Sequence, residues 1–344
     1  MTNNVGAGTG GHGGISSHGF GGGGGFGQDV PSAQDDQPPR SGLEIYTSEM
    51  LSQKRGYPLF WPAPQDHHPN INSGIAIGDV GCIDEGGFDY LFNVFSSCPN
   101  GFNSLKMNDP NLPNTSSAEV KCNNIGPGSC LSRTVHYENG NLLEYNFQCS
   151  GRQGAVLALP SGAHRQQLKI GFRSLHQYVT ENAKSWYRYI GKTLYREIHN
   201  GDLFVVSGHE KARSWGIAHY SEHEEEQTFK LRFQNAPNST KYAWVSLGKN
   251  RAELSQHVHG PLNQTLFLRG WTVSLGPEVW REEFPGASSS AEVGSSIMSI
   301  WPPLSSHLRP GMGLNSPPVV LDAHPDRTKV NGTHYFNQKF EPSS

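Results

Sequence analysis

The sequence predicts an α+β protein: a mainly antiparallel β-sheet core, one long amphipathic helix (about 164–191) packed on it, and a disordered N-terminal tail. Three observations carry this. Leu168, Phe172, Leu175, Val179, Ala183, Trp186 and Ile190 recur at spacings of four and three, which draws one apolar stripe along a helix. Apolar runs of strand length, separated by turn residues, fill most of the remainder. Thirteen of the first 27 residues are Gly, a composition that cannot build a packed core.

Taken in order, residues 1–41 form the Gly-rich tail, 42–285 a single α+β domain and 286–344 a largely irregular segment rich in Ser, Pro and Gly. The domain opens with aromatics and prolines in GYPLFWPAPQ (56–65). Ile75–Val80 and Phe88–Phe95 read as a hairpin whose turn holds Asp84 and Glu85; alternation puts Phe88, Tyr90, Phe92 and Val94 on one face. Residues 97–130 read as a long loop. Asn139-Gly140 is a hairpin signal between Leu131–Glu138 and Leu142–Cys149.

Ala155–Leu159 is a buried strand ending at Pro160, and the long helix follows. Its other face carries Arg165, Gln167, Arg173, Gln177, Glu181 and Lys184, so it is too polar to span a bilayer, which needs ~20 consecutive apolar residues. Leu203–Ser207 is a second buried strand, and Gly208 breaks it. His209, Glu210, Lys211 and Arg213 then sit in a solvated hairpin tip before the strand Ser214–Tyr220. Residues 222–226 make a charged turn, and Thr228–Phe233, Tyr242–Leu247 and Gln264–Leu275 are strands. In the last of these Arg269 shares a face with Phe267, Trp271 and Val273, where it would pair with a buried acid. The run 317–326 is expected to touch the domain.

Lysine and arginine number 27 against 30 acids, so no general attraction to nucleic acid or anionic membrane is expected. No transmembrane segment and no secretory signal is visible, which points to a cytoplasmic chain with reduced thiols; a local disulfide among its five cysteines stays open. The sequons at Asn114, Asn238, Asn263 and Asn331 then read as chance matches. No G-x-S-x-G elbow, HEXXH, P-loop or CxxC pair occurs, and no cofactor or metal is expected.

Asp79, Asp84, Glu85 and Asp89 are the candidate catalytic acids, close in sequence but off EF-hand spacing. His209, Lys211, Arg213 and Trp215 are the candidate ligand-binding residues, and Lys211 with Arg213 would suit an anion or phosphate. His219 with His223, and His257 with His259, are the histidine pairs with metal-ligand spacing.

GYPLFWPAPQ, IGDVGCIDEGGFDYLFNVF, GAVLALPSGA, NAKSWYRYI with NGDLFVVSGHEKARSWGIA, and TLFLRGWTVSL together span about residues 56–276. In order and spacing this set resembles an uncharacterised family from mushroom-forming (basidiomycete) fungi, one with no established activity. LFVVSG after an amphipathic helix is also similar to the strand pattern of gasdermin-like pore formers. The expectation is a non-enzymatic binding, signalling or defence module with an unidentified protein or small-molecule partner. The alternatives are a hydrolase or metal-dependent enzyme using the 79–89 acids or a histidine pair, and a membrane-active defence protein.

Overall fold

Helix α1 (Gly42–Leu51) starts at a reciprocal cap: the Ser41 hydroxyl accepts from Glu44 N at 3.3 Å, and the Glu44 carboxylate accepts from Ser41 N at 2.8 Å. Ser41 of that S-x-x-E signature is the last residue of the stretch read as the tail, and Glu44 lies in the domain. The computed structural model describes residues 40–95, 120–141, 144–169, 172–221, 228–235, 242–247, 252–257, 260–285 and 318–324. The tail up to residue 39, most of the 97–130 loop, the 222–226 turn, His223, His259 and the sequons at 114, 238 and 331 lie outside them, as does Cys98.

After α1 come strands β1 (Tyr57–Pro58), β2 (Asp79–Asp84), β3 (Gly87–Asn93), β4 (Val120–Ile125), β5 (Gly128–Leu131), β6 (Val135–Asn141), β7 (Glu144–Cys149), β8 (Gly154–Leu159) and β9 (Ala163–Leu168). Helix α2 (Phe172–Lys192) follows. Then come β10 (Leu203–Ala212), β11 (Trp215–Tyr220), β12 (Phe229–Asn235), β13 (Tyr242–Leu247), β14 (Ala252–His257), β15 (Gln264–Leu275), α3 (Pro277–Glu283) and β16 (Val319–His324). Every ladder among the described residues is antiparallel, so the fold is α+β with mainly antiparallel sheets.

The largest sheet is built on the long pair β10–β15, which runs from Leu203↔Val273 to Ala212↔Gln264. Shorter strands dock end to end on its two outer edges. On β10, β2 covers Leu203–Val205 and β9 covers Gly208–Lys211, with β4 outside β9. On β15, β1 and β16 do the same. Two four-stranded sheets, β14-β11-β8-β5 and β13-β12-β7-β6, make a second layer pair. Val156, Ala158, Ala218 and Tyr220 of one meet Tyr145, Phe147, Leu231 and Phe233 of the other. The opposite side of β8 and β11 packs on α1 and Phe267. Both strands are thus buried on both faces, which is why their sequences read as unbroken apolar runs.

Helix α2 buries Leu175, Val179, Ala183, Trp186 and Ile190 against Val80, Phe92, Leu203, Val205, Trp271 and Val273. The predicted stripe is there from Leu175 to Ile190, but the helix starts eight residues later than expected, so Leu168 belongs to a strand and the side chain of Phe172 lies outside the described residues. Residues 163–168 are strand β9 instead. Gly162, at φ 71°, closes a turn with Gly162 N donating to Leu159 O at 3.0 Å, and β9 then pairs with both β4 and β10.

Further expectations change. The described end of the 97–130 stretch is not loop: it holds β4 and β5, which pair with β9 and β8. Strand β10 does not end at Gly208; all ten residues through Ala212 are strand and buried. Asn139-Gly140 is inside the β6–β7 ladder, beside a register shift after Tyr137, and the strands meet at Asn141 and Glu144. Leu91 is bulged between Val80↔Phe92 and Gly81↔Tyr90, so Phe88 and Tyr90 join a different cluster from Phe92 and Val94. The C-terminal run touches the domain as expected: residues 319–324 are β16, paired with β15, and residues 286–317 and 325–344 lie outside the described residues. No helix among the described residues is long and apolar enough to cross a membrane.

Candidate functional site

Strand β10 carries charge on both faces in its second half. Residues paired across a ladder share a face, so the register sorts the neighbours. One face holds the row Asn123, Arg165, Glu210 and Phe267, and next to it the row Lys121, Gln167, Gly208 and Arg269. The other holds Cys122, Gln166, His209 and Leu268, then Asn124, His164, Lys211 and Thr265.

On the first face Glu210 is wholly buried. Arg55, from the loop between α1 and β1, donates to its Oε2 through Nε at 2.9 Å and also through Nη2. Arg165 donates from Nε to Oε1 at 2.6 Å, and its Nη2 lies 2.5 Å from the same oxygen. Arg269 Nη2 lies 3.9 Å from Oε1, and its Nη1 donates to Gln167 Oε1 at 3.4 Å. The expected buried partner of Arg269 is therefore Glu210. Arg55 also lies over the Phe267 ring, 5.0 Å from its centre, and contacts Cys130 Sγ. Burial opposes the Arg55 charge, yet Cys130 and Glu210 beside it raise its pKa above the ordinary guanidinium value. Burial pushes the Cys130 thiol up against the lowering pull of Arg55.

On the second face Lys211 Nζ donates to Ser73 O at 2.5 Å, which ties the loop before β2 onto β10. Burial lowers the Lys211 pKa to about 8, with Asp79 pulling it partly back. Burial, then Lys211 and His164, hold His209 well below the ordinary imidazole value, so its ring is neutral. Among the described residues His209 Nδ1 and Thr265 Oγ1, both buried, have no hydrogen-bond partner.

The structure separates the four candidate acids. Asp79 is buried and saturated: Oδ2 accepts from Ala76 N at 2.6 Å and faces His68 Nε2 at 3.3 Å, and Oδ1 accepts from Asn93 Nδ2 at 2.7 Å. Asn70 N donates to His68 Nδ1 at 3.1 Å, which leaves Nε2 as the protonated nitrogen facing Asp79. Asp89 accepts from His67 Nε2 at 2.9 Å and from Arg196. Asp84 and Glu85 are exposed at the β2–β3 turn, where Glu85 (φ 44°) and Gly86 (φ 80°) form the two-residue connection whose twist suits a hairpin.

Of the expected ligand residues, His209 and Lys211 are not in a solvated turn. The turn is moved past Ala212, because β10 gains partners from β9 on one edge and β15 on the other. Arg213 is exposed in that turn and donates to Gly260 O at 3.3 Å. Trp215 is core, its Nε1 donating to Gln264 Oε1 at 3.2 Å. Of the predicted site residues, the structure brings Lys211 together with Asp79 and with His209. Arg55, Arg165, Glu210 and His68 were not foreseen as a site; a buried role for HEKAR has no local signature.

The side chain of His257 lies outside the described residues, so neither histidine pair is tested. Among the described residues no three His, Cys, Asp or Glu side chains are grouped to hold a metal ion. Cys82, Cys122, Cys130 and Cys149 are free thiols. Asn263 is buried, and its Nδ2 donates to Ile71 O at 2.8 Å, so that sequon is closed to a glycan in the folded chain. No protein-family model matches this chain, and no curated protein sequence matches it significantly.

Proposed function

We propose that this chain is a non-enzymatic binding module whose ligand lies along the β4–β9 wing. The observation that carries the reading is the wing's polarity on both faces. Lys121, Asn123 and Asn124 are exposed, and His164, Arg165, Gln166 and Gln167 are half-buried. Strands usually bury one face in apolar contacts. These two instead present polar side chains on either side, and apolar packing does not account for them.

Two of the four candidate acids are committed to structural bonds, and the other two, Asp84 and Glu85, lie exposed at a hairpin turn. Asp79 has three partners on its two oxygens, and Asp89 holds His67 and Arg196. A thermal-shift screen of small polar ligands should find compounds that stabilise the wild type and lose their effect in Asn123→Ala with Gln166→Ala. Ligands recovered unchanged by mass spectrometry support binding; steady turnover refutes it.

A second reading is favoured by one feature. Lys211, with its pKa near 8, shares a face with neutral His209 and lies within the field of Asp79. The Lys211 amine is a group able to move a proton near neutral pH, with His209 and Asp79 as its neighbours. An enzyme using them would lose turnover in Lys211→Met while keeping its ligand-induced thermal shift.

A further inference from the structure

Among the described residues, the face of the wing that carries Arg165 holds more positive than negative charge. Arg55 and Arg165 both contact one carboxylate, Glu210, and so outnumber it by one. Arg269 stands in the adjacent row, 3.9 Å from the same oxygen that Arg165 holds. Lys121, exposed, is at the outer end of that row. Guanidiniums converging on a single oxygen repel each other, and the low dielectric of the surroundings strengthens the repulsion. Glu210 is wholly buried, so it offers nothing further to neutralise them.

We propose that this face is a binding site for a phosphate group, inorganic or as a monoester, seated on Arg165 with Lys121 at its rim. Resting on the binding-module reading, this names the ligand chemistry. Access favours Arg165: its side chain is 17% exposed, against 9% for Arg55 behind it. A guanidinium has five N–H donors, and Glu210 engages only one edge of Arg165, which leaves donors for a second oxyanion. Alternate residues on a strand face are about 7 Å apart, so the Arg165 and Lys121 rows bracket a group larger than a lone carboxylate. Gln167 and Asn123, in the same two rows, add neutral donors. A dianion would offset the excess charge, whereas a single carboxylate would offset half as much.

The test is titration of the full chain with inorganic phosphate, and separately with phenyl phosphate, at fixed ionic strength, by calorimetry and thermal shift. Phosphate should raise the melting temperature where equal ionic strengths of chloride and acetate do not. Arg165→Gln should weaken binding at least tenfold, and Lys121→Glu should weaken it several-fold. Tighter binding of phenyl phosphate would identify a monoester ligand; equal or weaker binding would identify free phosphate. An equal response to chloride or acetate, or undiminished binding in Lys121→Glu, overturns the proposal. Because Lys121 is exposed on an outer strand, that variant keeps the test decisive if Arg165→Gln fails to fold. If phosphate is ignored while another polar ligand binds the wing unchanged, the phosphate site falls and the binding module stands.

Discussion

The two faces of strand β10 solve the problem of buried charge in opposite ways. On one, guanidiniums close on both oxygens of the Glu210 carboxyl, Arg55 on Oε2 and Arg165 on Oε1. On the other, burial works against the charge itself: His209 is neutral, and Lys211 holds its proton less tightly than an exposed lysine. Successive residues of one strand therefore sit in very different electrostatic surroundings. A buried ion is tolerated when it meets a complementary ion with matching donors, and otherwise its pKa moves toward the neutral form. The comparison warns against reading HEKAR as one charged unit.

The largest expected effect tests the paired face. Glu210→Ala would leave Arg55 without its carboxylate, and urea unfolding should show a loss of about 3–5 kcal/mol. A loss below about 1 kcal/mol would mean that the guanidiniums find water and that the pairing is incidental.

On the other face Asp79→Asn should cost about 1–3 kcal/mol, because a carboxamide cannot accept from Ala76 N, His68 and Asn93 together. The same variant removes the group that pulls the Lys211 pKa up, so that pKa should fall below 8. An unchanged Lys211 titration, followed by NMR of its side chain, would separate the two residues electrostatically.

The third effect is a pH slope. The folded pKa of Lys211, about 8, lies below its ordinary 10.5. Between those values the unfolded chain binds more protons, so stability rises with pH there, and below pH 8 the burial penalty is present in full. The difference between wild type and Lys211→Met should change by up to about 1.4 kcal/mol per pH unit across this window. A flat difference would show that the amine stays solvated.

The smallest effect lies outside β10 and serves as a reference. Arg188, and behind it Lys184, hold Glu283 down to about 2, which locks α3 onto α2. The ordinary value is 4.5, so this contribution is complete above pH 4.5 and disappears as pH falls toward 2. Arg188→Gln should flatten that acid limb of the stability curve slightly, because the arginine is half exposed and water screens the pair. An acid limb as steep as the Lys211 slope would erase the contrast between buried and exposed charge.

Much of the apolar framework was legible without coordinates. The α2 stripe, the unbroken runs of β8 and the first half of β10, and the full extent of β15 follow from side-chain periodicity, which is a local property. Even Arg269 could be assigned a buried acid, because a lone charge on an apolar strand face requires one. The polar strands were not legible. AHRQQL extends a plausible helix until Gly162 turns the chain, and HEKAR reads as a turn until β9 and β15 supply ladders on both sides.

The sequence by itself determined which segments must be buried, since hydrophobic spacing reports a face and a period. Tertiary structure alone decided which charges meet. Arg55 and Glu210 are 155 residues apart, and only the edge-to-edge docking of the short strands brings them together. The sign of a side chain is written in its residue, but its partner and its dielectric surroundings are set by whatever the rest of the chain packs around it.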